Sequence, residues 1–221
     1  LNKIARKLLT ALCAAAVAVA GIALMPQPVS ASQPLAAKAL SSLLIKGRAP
    51  KTGYSRSLFS DGWGSIGSCD TRNFILKRDL SSITWRSGET CIVATGILSD
   101  PYTGATIHFV RGVRTSLAVQ IDHMVALSDA WQKGAQQMSP ASRYAFYNDP
   151  LNLLAVDGPT NESKGDGDAA TWLPPNKSFR CTYVARQIAV KAKYKLWVTS
   201  AERDAMSRVL SSCPKQILPV G

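Results

Sequence analysis

The chain has 221 residues with 26 Lys and Arg against 14 Asp and Glu, a formal net charge of +12, and five cysteines. That length holds one compact domain with a real core and little more. No two of the cysteines lie at metal-knuckle spacing, which argues against a cysteine metal cluster. Clustered Lys and Arg displace counterions from a phosphate backbone, so the charge directs attention to a polyanionic partner. Generic solubility and attraction to an anionic cell surface account for the same charge equally well.

At the N-terminus, Lys3, Arg6 and Lys7 precede an apolar run from about Leu8 to Met25, then Pro26 and the small residues Val29-Ser30-Ala31. This order is that of a signal peptide over residues 1–31, with a retained membrane anchor as the alternative. Its removal takes Cys13 and three basic residues and leaves about 190 residues at a net charge of +9. Secretion would follow, with no lasting membrane partner. The remaining cysteines, Cys69, Cys91, Cys181 and Cys213, form an even set in an exported chain and read as two disulfides.

Residues 32–68 are rich in Ser, Gly, Ala and Pro and read as a linker or N-terminal extension, with a short helical patch at Leu35–Leu40. The domain proper is expected over residues 69–221. Thr71–Leu80 suits a short amphipathic helix. The stretch Thr90–Gly96, the turn Ser99-Asp100-Pro101-Tyr102-Thr103-Gly104 and the alternating Thr106–Val110 predict two strands around a turn. His108, in that alternation, reads as structural. A strand over Leu117–Ile121 points at Asp122-His123, a helix follows around Val125–Trp131, and the Asn148-Asp149-Pro150 turn opens a strand over Leu151–Val156.

Two helices close the chain. In the first, Val184, Ile188, Ala189 and Ala192 share a face, while Arg186, Lys191, Lys193 and Lys195 fall mostly elsewhere. The second begins at the capping-box pattern Thr199-x-x-Glu202. A short connection makes the two helices antiparallel neighbours, which puts Cys181 at the start of one beside Cys213 at the end of the other. The expected pairing is therefore Cys181–Cys213 with Cys69–Cys91.

The informative motif spans residues 119–168: Gln120-Ile121-Asp122-His123-Met124-Val125, then Asn152-Leu153-Leu154, then Asn161-Glu162-Ser163-Lys164. This combination resembles the HNH, or ββα-metal, endonucleases. The wider stretch Cys69–Cys213, with Asp100–Gly104 and Trp172-Leu173-Pro174-Pro175, resembles exported proteins of the GmrSD-like HNH group. The resemblance implies an α+β fold with a ββα-metal core, to which additional helices and the C-terminal hairpin are appended. It also implies a metal-dependent endonuclease acting on DNA, with RNA as a further substrate.

By the same resemblance, His123 is the general base, Asp122 and Asn161 are metal ligands, Asn152 orients the loop holding His123, and Lys164 contacts phosphate or steadies the site. These residue types suit the chemistry. Phosphodiester hydrolysis needs a base to deprotonate water and positive charge at the developing anion. A carboxylate and an amide oxygen are hard ligands for Mg²⁺, with Mn²⁺ as the alternative. The chain has only His108 and His123, so the third motif position is Asn161, which weakens the case for zinc. Adjacent strand residues point to opposite faces, so Asp122 and His123 serve one site only where the strand ends or twists.

Each element also has a plainer reading. Asn152 is a turn former, Lys164 a surface charge, and Asp166-Gly167-Asp168 too incomplete for a calcium loop. Asn161-Glu162-Ser163 and Asn176-Lys177-Ser178 match glycosylation sequons, a pattern frequent by chance. Arg72, Arg78, Arg180 and Arg186 are candidates for a nucleic-acid groove or for solvated charge, and Trp131 and Trp172 for base stacking or core packing. The rival functions are a non-catalytic extracellular module binding nucleic acid or other polyanions and a cell-wall hydrolase. Against the latter, no paired-carboxylate spacing or serine-nucleophile motif stands out.

Overall fold

A computed structural model describes residues 33–220; the expected signal peptide lies outside the described residues. The described part is a mixed α+β structure with seven α-helices and three small antiparallel sheets. In chain order it runs α1 (Ala36–Ser41), β1 (Ser65–Ile66), β2 (Cys69–Asp70), α2 (Thr71–Asp79), β3 (Ser81–Trp85), β4 (Val93–Ser99) and β5 (Thr106–Val110). There follow β6 (Val119–His123), α3 (Leu127–Gln132), α4 (Pro140–Asn148), β7 (Leu153–Asp157), α5 (Gly158–Lys164), α6 (Arg180–Lys193) and α7 (Ser200–Ser211).

Strands β3, β4 and β5 form a meander, and β6 pairs with β7 from Val119↔Asp157 to His123↔Leu153. The β6–β7 ribbon is covered on both faces. Leu153, Ala155, Val119 and Ile121 pack against Ile75 and Leu76 of α2 and Leu98 and Phe109 of the meander. Leu154 and Val156 face Tyr183, Val184 and Ile188 of α6 and Met206 of α7. Burial on both faces is why Leu153-Leu154-Ala155-Val156 is a continuous apolar run rather than an alternating one.

The chain's own caps set the helix starts. Asp70 accepts from Asn73 N at 2.7 Å at the head of α2, and Asp157 accepts from Thr160 N at 2.9 Å at the head of α5. Gly158 opens α5 hard against the carbonyl of Leu117, where any Cβ would collide, and Gly165 ends the helix with φ +50°. Thr199 caps α7 by accepting from Glu202 N at 3.1 Å. The Glu202 side chain does not close the capping box; it turns inward to the buried ammonium groups of Lys133 and Lys191.

Both disulfides form as expected, Cys69–Cys91 and Cys181–Cys213, the second joining α6 to the end of α7. Several expectations are corrected. Residues 33–68 do not hang free as a linker: Leu35 bridges Ile217, Ile45 bridges Val198, and Ala36, Leu40 and Phe59 are buried. Leu117 and Ala118 lie in a 3₁₀ turn because the strand pairing begins only at Val119. Asn152 precedes β7, held in a turn by its N–H to Asp149 O at 2.8 Å.

Lys191, expected off the apolar face, is fully buried because Asp129 and Glu202 pair with it. His108 is exposed on β5, where it pairs with Ile97 of β4, in keeping with a strand residue outside the site. The four arginines considered for a groove donate to backbone carbonyls instead: Arg72 to Val119, Arg78 to Pro150 and Leu153, Arg180 to Pro174, and Arg186 to Pro150, Leu151 and Leu153. Trp131 and Trp172 pack in the apolar clusters. Asp168 is buried against Lys133 and Arg48, and Asp166 pairs with Lys51.

Candidate functional site

The end of β6 opens into a cavity of about 310 Å³ lined by polar groups, among them Arg56, Gln120, Asp122, His123 and Asn161. Side chains still alternate along the strand. Gln120 and Asp122 face Tyr102 and α5, while His123 faces Trp63 and Tyr147. Because the strand stops at His123, both neighbours border one space.

Asp122 is almost fully buried, and both of its oxygens are engaged. Oδ1 accepts from Lys164 Nζ at 2.8 Å, and Oδ2 accepts from the hydroxyl of Tyr102. Burial, reinforced by the Asp122 carboxylate, pushes the Tyr102 phenol well above its usual range, so it remains a donor. Lys164 also donates to the His123 carbonyl at 2.9 Å, tying the two residues at the strand end together. Its ammonium is buried behind Asp122 and committed to protein oxygens rather than presented to the cavity.

His123 is positioned by its surroundings. Nε2 lies 2.9 Å from the carbonyl oxygen of Tyr147; since a carbonyl only accepts, Nε2 carries the hydrogen. The Trp63 ring stacks on the imidazole at 5.9 Å with 9° between planes, and the Tyr147 ring sits 4.7 Å away. Burial above all, then the nearby Arg56 charge, lowers the imidazole to about 3, outweighing the Tyr147 hydrogen bond. The ring is therefore neutral at ordinary pH, with its lone pair on Nδ1.

Asn152 stands outside the cavity and shapes the turn after His123. Its Oδ1 accepts from Val125 N at 2.9 Å, and its carbonyl accepts from Met124 N at 2.7 Å. Asn161 does line the cavity. Its Nδ2 donates to Gln120 Oε1 at 2.8 Å, and Gln120 Nε2 in turn donates to the Glu162 carboxylate at 2.8 Å. A carboxylate only accepts, so this relay fixes both amides and leaves Asn161 Oδ1 as the atom available to a cation.

No cluster of three or more His, Cys, Asp and Glu suited to a metal occurs among the described residues. A carboxylate with an amide oxygen is nevertheless a hard donor pair, and Asp122 keeps lone pairs beyond the two it spends on Lys164 and Tyr102. These donor types fit a hard divalent cation that retains most of its waters.

Residues 70–209 match the family of GmrSD restriction endonucleases, C-terminal domain. The chain belongs to that HNH-like family. It is also 37% identical over 193 residues to an uncharacterized secreted protein of Arthroderma benhamiae, covering 85% of this chain and 91% of that protein. Membership in the GmrSD family points to nuclease-related chemistry and, with it, to a divalent metal and a nucleic-acid substrate. No helix of the described residues is long and apolar enough to cross a membrane.

Several residues of the site escaped the sequence reading. Tyr102 lies in a segment with turn residues that also carries part of the family resemblance, but nothing local announces that its hydroxyl reaches Asp122. Gln120 was detectable, because it sits two residues before Asp122 and so on the same strand face. Arg56, Trp63 and Tyr147 come from other parts of the chain, and Arg56 and Trp63 lie before the stretch that matches the family.

Proposed function

We propose that this protein is a secreted, metal-dependent endonuclease of the ββα-metal type, hydrolysing phosphodiester bonds in DNA, and in RNA as a further substrate, with low sequence selectivity. The observation that carries this reading is that one polar cavity collects Asp122, His123 and Asn161 at the end of a β-β-α unit, with the His123 imidazole held neutral.

In this reading His123 Nδ1 accepts a proton from water as the water oxygen forms a bond to phosphorus. The ester P–O bond opposite breaks, and the departing oxygen takes a proton from solvent. Asp122 and Asn161 Oδ1 would hold Mg²⁺, with Mn²⁺ as the alternative, and the ion would supply positive charge at the phosphate and leaving oxygen. Lys164 holds the Asp122 carboxylate in place beside His123, and Asn152 keeps the following turn from moving the imidazole. The basic surface supplies attraction to the polyanion.

Digestion of plasmid DNA and of RNA by the mature protein tests the reading. Cleavage is expected with Mg²⁺ and none with EDTA; His123→Ala should fall by about 10² to 10⁴-fold with folding intact, the usual contribution of a general base. Salt-sensitive binding without cutting would identify a polyanion-binding module instead. Full activity in His123→Ala would overturn the assignment of the base.

A further inference from the structure

The cavity that holds Asp122 and His123 also contains a cation from a distant part of the chain. Arg56 lies in the segment expected to be a linker and outside residues 70–209, yet it lines the same space. It is exposed, and among the described residues it makes no salt bridge; Arg48 and Lys51 of the same segment are both paired with acids. Its partner is Tyr147: the guanidinium lies 5.1 Å from the ring centroid and donates to the hydroxyl at 3.1 Å.

That partner matters because Tyr147 also holds the imidazole, accepting from His123 Nε2 through its carbonyl. One residue thus positions both the expected base and a guanidinium at the same cavity. A contact to a phenol and its ring leaves most of the guanidinium's five N–H donors free for an anion. A planar fork of donors matches two oxygens of a phosphate, and positive charge held in place before reaction is what the pentavalent transition state requires.

The segment around Arg56 is fixed well enough to deliver it. Arg48 pairs with buried Asp129 and Asp168 at 3.1 and 2.6 Å, Phe59 is buried beside Trp131 and Phe146, and Thr71 N donates to the carbonyl of Gly64 at 2.7 Å. Tyr54 lines the cavity beside Arg56, and Trp63 caps the imidazole.

We propose that Arg56 is a catalytic residue that binds the non-bridging oxygens of the scissile phosphodiester, so that the segment 48–64 forms one wall of the active site rather than a tether to it. This rests on the nuclease reading above, and the test separates the two. Wild type, Arg56→Ala, Arg56→Lys and His123→Ala are compared on one short labelled duplex: single-turnover cleavage at saturating protein with Mg²⁺, and binding by anisotropy in EDTA. Thermal melts accompany each variant.

For Arg56→Ala the saturating cleavage rate should fall by about 10² to 10³-fold, the usual cost of one preorganised donor at a developing anion. Affinity should change by less than about tenfold, and Arg56→Lys should recover part of the rate. An unchanged saturating rate in Arg56→Ala overturns the proposal, whether or not affinity drops, since a remote polymer contact acts on binding alone. If Arg56→Ala is unstable, Arg56→Gln, which keeps much of the length and polarity without the charge, takes its place: a fall of the same order in that folded variant supports the proposal, and an unchanged saturating rate overturns it. A wild type that cuts nothing fails the nuclease reading and this proposal together, an outcome distinct from an active wild type matched by Arg56→Ala.

Discussion

At the scale of single residues, the site is built from groups whose hydrogen-bonding capacity leaves one atom free. His123 spends Nε2 on a carbonyl, and Asn161 spends Nδ2 on Gln120, so Nδ1 and Oδ1 remain for chemistry. The orientation of Asn161 depends on Gln120, and that of Gln120 on Glu162. Gln120→Leu should therefore weaken Mn²⁺ binding by about 10 to 100-fold, the range typical of groups that orient a ligand, with little change in thermal stability. Glu162→Gln should have a smaller effect, because an amide at 162 no longer forbids Gln120 from reversing. Titration calorimetry with Mn²⁺ reads both; equal affinity across the three proteins would show that the relay does not hold the ligand.

The residue scale is also where the sequence was most legible. Asp122, His123 and Asn161 were singled out by the resemblance to the HNH motif, and the three share a cavity. Lys164 was recognisable as a member of the set, but its burial behind Asp122 was not, since a lysine in the last turn of a helix has the same local sequence whether it faces water or a carboxylate.

At the scale of elements, the β6–β7 ribbon and α5 carry the site, and the α6–α7 hairpin backs the ribbon through Tyr183, Val184 and Met206. The hairpin was legible because apolar residues recur at helical spacing and Thr199 is a cap. The Cys181–Cys213 link spans 32 residues of sequence. Loop-closure entropy for such a span gives about 3 to 4 kcal/mol of stabilisation. The double variant Cys181→Ser with Cys213→Ser should lose about that much in urea denaturation, and a loss near zero would mean that helix packing alone closes the hairpin. The start of β7 was less legible. Leu151-Asn152 continues the apolar pattern of the strand, but the Asn152 side chain bonds the turn after His123, and that contact is made across the fold.

At the scale of the whole molecule, six buried or half-buried charges join otherwise separate segments. Lys133 contacts Asp129, Asp168 and Glu202 at 2.6 to 2.7 Å, Lys191 contacts Asp129 and Glu202, and Arg48 contacts Asp129 and Asp168. Three acids meet three bases, so the group is neutral as a whole. It ties the N-terminal segment, α3, the loop after α5, α6 and α7 together.

Burial by itself would raise the Asp168 carboxyl, but the hydrogen bond and charge of Lys133, with Arg48, outweigh it and bring the group to about 2. A carboxyl depressed in the folded state stabilises the fold above its unfolded value near 4 and loses that contribution as pH falls toward 2. For Asp168 this is about 2 kcal/mol. Urea denaturation followed from pH 6 to pH 2 should show stability falling steeply below about pH 4. Asp168→Asn should lose about 3 to 5 kcal/mol at neutral pH, as expected for breaking a buried pair, and should flatten the acid limb. An unchanged limb would remove Asp168 from the cause.

The two disulfides and the C-terminal hairpin were readable in the sequence, because helical spacing, caps and cysteine parity are local properties, and the resemblance to a family singled out Asp122-His123 with Asn152, Asn161 and Lys164. The tertiary structure alone decided that residues 33–68 are part of the domain, that Tyr102 and Lys164 take both oxygens of Asp122, and that Arg56 and Trp63 stand at the imidazole. Those contacts join positions far apart in the chain. Ser, Gly and Pro in a segment lower its intrinsic order without saying whether a core elsewhere will bind it; here Arg48 and Phe59 are what the core binds.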